Sequence, residues 1–99
     1  MKAKKWARKA RTIVVHLEGQ HDLNRGVHLI EVRDARKRVL RTRTVEYRNE
    51  RPALSAIMID VQARLSRNAL YVDPGSYQFA NEGRTLHASV SVAVLPRRP

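Results

Sequence analysis

Ninety-nine residues, no cysteine and a formal net charge of +11 bound what this chain can be. The length fits one domain at the small end of the usual range, one that buries about 60–65% of the surface its unfolded form exposes. Without a thiol there is neither a disulfide framework nor a thiolate metal site, and a hydrophobic share of 42% argues against wholesale disorder.

Taken in chain order, residues 1–11 carry six positive charges and no acid, and they read as a basic flexible arm in which only Trp6 offers sizeable apolar area. Met1-Lys2-Ala3-Lys4-Lys5 resembles the front of a signal peptide, but no apolar stretch of about 7–15 residues follows it. The apolar runs, Ile13-Val14-Val15 among them, are all far short of a membrane span. The expected location is therefore the cytoplasm or a nucleoprotein or viral particle, with no membrane partner.

From Thr12 to Glu18 the β-branched run predicts a strand with both faces at least partly buried. Gly19 to Gly26 has loop chemistry. Val27 to Arg33 is a second strand, Asp34-Ala35-Arg36-Lys37 a hairpin turn, and a third strand runs from about Arg38 to Tyr47. Asn49-Glu50-Arg51-Pro52 starts a helix. Leu54, Ile57, Met58, Val61 and Leu65 form its apolar stripe, Asp60 and Arg64 pair on its wet side, and it should end near Asn68. A short strand over Ala69 to Val72, a turn at Asp73-Pro74-Gly75-Ser76, an extended Tyr77 to Ala80 and a last strand from Thr85 to Leu95 complete the body.

These elements predict an α+β domain over residues 12–95: a mainly antiparallel sheet of five or six strands with one helix on one face, in the order β-β-β-α-β-β. Residues 96–99 read as a basic tail. Strands buried on both faces call for a second covering layer that one helix supplies only in part. Self-association into a homo-oligomer is the expected remedy.

Charge is segregated rather than spread. Residues 12–35 carry a net −2, residues 36–51 a net +5, and residues 52–96 balance. Lys2, Lys4, Lys5, Arg8, Lys9 and Arg11 suit a phosphate backbone, with Trp6 able to stack on a base. Arg36, Lys37 and Arg38 at the hairpin, continued by Arg41 and Arg43 on one strand face, form the second basic cluster. Arginine predominates there, which favours bidentate phosphate contacts. The plainer account of the same residues is a solubilising tail and an edge strand guarded by charge. His16, His21, His28 and His87 lack compact ligand spacing, no serine sits in an elbow-like setting, and the glycines form no phosphate-cradling loop. No catalytic residue, metal ligand or cofactor is assigned from the residues.

The acids carry one resemblance. An acid followed by glycine at the end of the first strand (Glu18-Gly19), a hairpin, a helix, and an acid after the next strand (Asp73) resemble the ribonuclease H-like fold over residues 12–75. The resemblance implies metal-dependent cleavage through gathered carboxylates. The helix position that should supply a carboxylate falls at Ala53 or Ser55, neither of which binds metal, and Asp60 lies about two turns further along. Past Asp73 the family continues with a helix and a parallel strand, whereas Tyr77 to Leu95 here reads as an antiparallel hairpin.

Three functions are therefore expected in descending order. The first is a non-enzymatic nucleic-acid-binding or ribonucleoprotein component for DNA or RNA. The second is a structural or assembly subunit of a viral particle or other homo-oligomer. The third is a metal-dependent nuclease using Glu18, Asp73 and Asp60.

Overall fold

The computed structural model of the chain describes residues 5–19, 21–47, 52–81 and 86–96. The element order is α1 (Lys5–Lys9), β1 (Thr12–Glu18), β2 (Gly26–Arg33), β3 (Val39–Tyr47), α2 (Ala53–Ser66), β4 (Leu70–Val72), β5 (Gln78–Asn81) and β6 (His87–Pro96). The strands form one curved antiparallel sheet in the order β3-β2-β1-β6-β4, with β5 also paired to β6. The α+β reading with one main helix and a mainly antiparallel sheet holds, the sheet having six strands; the expected order β-β-β-α-β-β lacks α1 and the third strand after α2.

The register explains where the core lies. Ile13 pairs with Val32 on one side and Val92 on the other, and Val15 with Ile30 and Val90, so these six residues share a sheet face. The side-chain period of two puts Leu17, Ala88 and Val94 on that face as well. Against it pack Ile57, Val61 and Leu65 from the predicted helical stripe, all buried, while Leu54 and Met58 flank them half-buried. Val14, on the opposite face of β1 across from Glu31 and Ser91, is also buried within the single chain.

Helix α2 begins directly after Pro52, which has no N–H to satisfy. The N–H of Ala53 finds its acceptor in the loop between β1 and β2, where Asn24 Oδ1 lies at 3.2 Å. That loop is shaped by Asp22, whose carboxylate accepts from the N–H of Asn24, and by Gly26 at φ 142°. A side chain at Gly26 would meet the Glu18 carbonyl at 2.2 Å, so only glycine fits there. At the other end, Gln62 Oε1 accepts from the N–H of Val72 and fastens α2 to β4.

Several boundaries differ from the sequence expectation. The arm predicted over residues 1–11 is a folded helix from Lys5 onward, with Ala7 and Ala10 fully buried and Trp6 packed against the core. One helical turn has no stability of its own, and here packing of its small apolar residues supplies it. Beyond Ala10, the N–H of Arg11 donates to the Arg33 carbonyl and the Arg11 carbonyl accepts from Val94, so the chain enters the sheet before Thr12. Residues 1–4 of the expected arm lie outside the described residues, as do 97–99 of the expected tail; Pro96 is not tail but pairs with Leu70. Ala69 is a turn residue at φ 58° rather than the start of β4. Strands β4 and β5 lie end to end along one side of β6 as a single edge interrupted by the Asp73–Tyr77 turn, which Ser76 Oγ ties back to the N–H of Ala93 at 2.7 Å.

The post-helix strand β4 lies at the sheet edge and pairs with β6, and β6 stands between it and β1. Among the described residues no helix is long and apolar enough to cross a membrane.

Candidate functional site

The turn between β2 and β3 is built around one carboxylate. Asp34 Oδ1 accepts from the N–H of Arg36 and of Arg38, each at 2.9 Å, and Oδ2 accepts from Arg38 Nε at 3.0 Å. The Asp34 carbonyl accepts from the N–H of Lys37, which sits at φ 64°. These donors, the Arg38 N–H first, hold the Asp34 carboxyl below the usual aspartate range. With Asp34 neutralised locally, Arg36, Lys37 and Arg38 project from a tied turn and are all exposed.

The end of α1 and the segment just after it deliver three further cations to the same place. Arg8 and Lys9 occupy its last turn, where the helix dipole favours positive charge. The Arg11 guanidinium folds back to donate to the carbonyls of Arg8 and Ala10. The result is an open depression of about 240 Å³ lined by Arg8, Lys9, Arg11, Asp34, Arg36 and Arg38. The two basic clusters read separately from the sequence thus meet around one recess, five cations to one acid already paired.

Arg41 and Arg43 lie elsewhere. Their register partners are Val32 and Ile30, so they point to the same sheet face as the core, toward α2. Both remain exposed. They overhang a groove of about 340 Å³ between β3 and α2, whose apolar wall includes Trp6, Ile13, Ile30 and Val32. Arg41 sits over the Trp6 ring at 5.5 Å, a cation–π contact linking β3 to α1. Arg43 reaches Asp60 on α2 at 3.4 Å, and Arg64 reaches the same carboxylate oxygen at 3.3 Å. Across the groove, Arg64 and Arg67 form the α2 bank.

Of the residues singled out from sequence, Arg8, Lys9, Arg11, Arg36 and Arg38 gather at the depression, and Trp6, Arg41 and Arg43 at the groove. Lys5 and Lys37 are exposed but line neither recess, and Lys2 and Lys4 lie outside the described residues. Arg64 and Arg67 were missed. Their spacing on the last turns of α2 was visible, but which bank they face depends on how α2 lies across the sheet.

The acids and histidines are arranged differently. Glu18 ends β1 and Asp73 follows β4, with Asp60 on α2, and among the described residues no three histidines or acids form a group able to hold a metal ion. On the sheet face away from α2, His16 Nε2 and Arg33 Nη2 both contact Glu31 Oε1. Burial pushes the Glu31 carboxyl up, but the hydrogen bonds from His16 and Arg33 and the charges beside it outweigh that and hold it below its ordinary value. His28 is fully buried, accepts at Nδ1 from the Glu18 N–H at 2.9 Å and stacks near Tyr47; burial holds its pKa below the usual histidine range. It is a core residue of neutral form, with no partner for Nε2 among the described residues.

The arrangement offers positively charged donors in two recesses on adjoining sides of α1, each holding a carboxylate, Asp34 or Asp60, that is paired with arginine. Compared with family models, with curated proteins and with solved structures, the chain matches none.

Proposed function

We propose that the protein is a non-enzymatic nucleic-acid-binding or ribonucleoprotein component that grips phosphate backbone. The observation that carries this reading is the convergence of Arg8, Lys9 and Arg11 with Arg36 and Arg38 on one open depression. Arginine forks match phosphate oxygens bidentately, and the Asp34-tied turn fixes the backbone from which Arg36 and Arg38 project, so less ordering entropy is lost on contact. The chain's surplus of eleven positive charges supports the same partner.

The test is the salt dependence of oligonucleotide binding. Affinity should fall steeply between about 50 and 200 mM salt. Replacing Arg8, Lys9 and Arg36 together by glutamine should flatten the slope of log affinity against log salt by roughly 2–3, since each phosphate contact contributes about 0.7–0.9. Salt-independent binding, or no binding to DNA or RNA, overturns the reading.

A second reading, a subunit of a homo-oligomeric assembly, is favoured by a separate observation. Ile59, Tyr77 and Phe79 are exposed apolar residues near the open β4–β5 edge, with Ile59 at 70% and Phe79 at 59% exposure. Light scattering without nucleic acid tests it: a monomer across all concentrations removes it.

A further inference from the structure

The groove between β3 and α2 differs chemically from the depression at the turn, and the difference indicates what it would hold. We propose that it receives unpaired bases of a single-stranded nucleic acid, so that the protein prefers single strands to duplex. The inference rests on the nucleic-acid reading above and specifies its partner.

Phosphate alone gains nothing from an apolar surface, yet the inner surface of this groove is apolar. Ile13, Ile30, Val61 and Leu65 are buried along it, and Trp6 and Val32 are half-buried. The cations stand along the banks, Arg41 and Arg43 on β3, Arg64 and Arg67 on α2. An apolar interior with charge along the margin matches a base flanked by its own phosphates. Proteins that bind single strands without sequence preference combine these two elements, a stacking platform and a basic track. Arg41 already lies over the Trp6 ring, 5.5 Å from its centre, so an aromatic ring and a guanidinium stand together along the groove.

Shape points the same way. At about 340 Å³ the recess lies at the small end of ligand pockets, which run from about 300 to 1,000 Å³. Base readout in a duplex requires a protein element that protrudes into a major groove about 12 Å wide. Arg41 and Arg43 overhang a hollow instead. A duplex can lay phosphates on the banks but cannot send a base inward without being opened.

The experiment uses the full chain and fluorescein-labelled oligomers of about 12 nucleotides, within the range of single-strand site sizes. Oligo-dT and oligo-rU are compared with a duplex of the same length by anisotropy. Emission from Trp6, the single tryptophan of the chain, serves as a second readout. Single strands should bind roughly tenfold or more tighter than duplex, about the contribution of one stacked base, and should quench Trp6. Replacing Arg41 and Arg43 together by glutamine should weaken single-strand binding more than duplex binding, and so remove most of that preference, while leaving the circular dichroism spectrum unchanged. Duplex binding that equals or exceeds single-strand binding, with Trp6 emission unaltered, overturns this inference but leaves the phosphate reading standing. Failure to bind any of the oligomers overturns both. Equal affinity and equal Trp6 quenching with polyglutamate would assign the groove to acidic polypeptide and also overturn it.

Discussion

Strands β3 and β6 are nearly the same length and belong to the same antiparallel sheet, yet they have opposite fates. Strand β6 has a neighbour on each side and buries Ala88, Val90, Val92 and Val94 under α2. Strand β3 has one neighbour, and the positions that continue the same face across the sheet are Arg41 and Arg43. Had β3 carried valine there, α2 could close over it as it does over β6. Two arginines in register with Val32 and Ile30 break the apolar row on that face, and the groove lies beside them. The open site follows from a change of residue type along one row of the sheet, with no change of fold.

The largest expected effect comes from breaking the covered side. Val92→Asp places an unpaired carboxylate at a position only 1% exposed, and the cost should exceed about 4 kcal/mol, enough to abolish cooperative thermal unfolding in a domain this small. The same new charge on the exposed strand, Thr44→Asp, should stay within about 0.5 kcal/mol. Melting both variants by circular dichroism decides this, and equal losses would contradict the contrast.

Acid should weaken the interior next. His28 is neutral in the fold with its pKa lowered by burial, so the unfolded chain takes up a proton first as pH falls. Stability is full above the unfolded histidine pKa, near 6.5, and is lost as pH falls through it toward the lowered folded value. Glu31 and Asp34, whose carboxyls are held low, add a further loss at more acidic pH, below their ordinary values. Denaturant midpoints measured from pH 8 to about 3 should show the two stages. His28→Asn, which keeps an acceptor for the Glu18 N–H, should lower the plateau and remove the upper stage only.

The smallest effect is a gain. Asp60 holds both Arg43 and Arg64 on the groove's two banks, at distances typical of weak, exposed pairs. Asp60→Asn should release them and tighten single-strand binding about threefold, the equivalent of ~0.7 kcal/mol. Asp22→Asn, an exposed acid in the β1–β2 loop, removes the same charge without touching an arginine of the groove and serves as the control. If both variants gain equally, the effect is net charge alone.

What the sequence disclosed follows from the range of the interactions involved. The stripe of α2, the alternation of β6 and the Asp34 turn depend on neighbours a few residues away, and the spacing of residues displays them. Helix α1 was hidden because five residues with three cations look like a tail. What folds them is burial of Ala7 and Ala10 against strands far along the chain. The placement of β6 between β1 and the β4–β5 edge is equally non-local. For the site, the cation-rich segments were visible, but their division was not. The sequence grouped Arg41 and Arg43 with the hairpin turn, whereas the register turns them away from it, toward α2 and Trp6. Val39, two residues before Arg41, is set apart from it by the irregular pairing between Val32 and Arg33.

The interrupted edge has a consequence for how this molecule tolerates crowding with its own copies. An open sheet presents two free borders, each a template for a further strand. Along β4 and β5 the template is cut into runs of three and four residues by the Asp73–Tyr77 turn, a guard made of covalent geometry. Along β3 the guard is charge. Salt screens charge within about 8 Å at physiological strength and leaves geometry untouched, and bound polyanion cancels charge outright. The two borders are therefore safe under different conditions. A chain saturated with nucleic acid keeps one of them and gives up the other, so β3 is where copies would first meet along a shared strand.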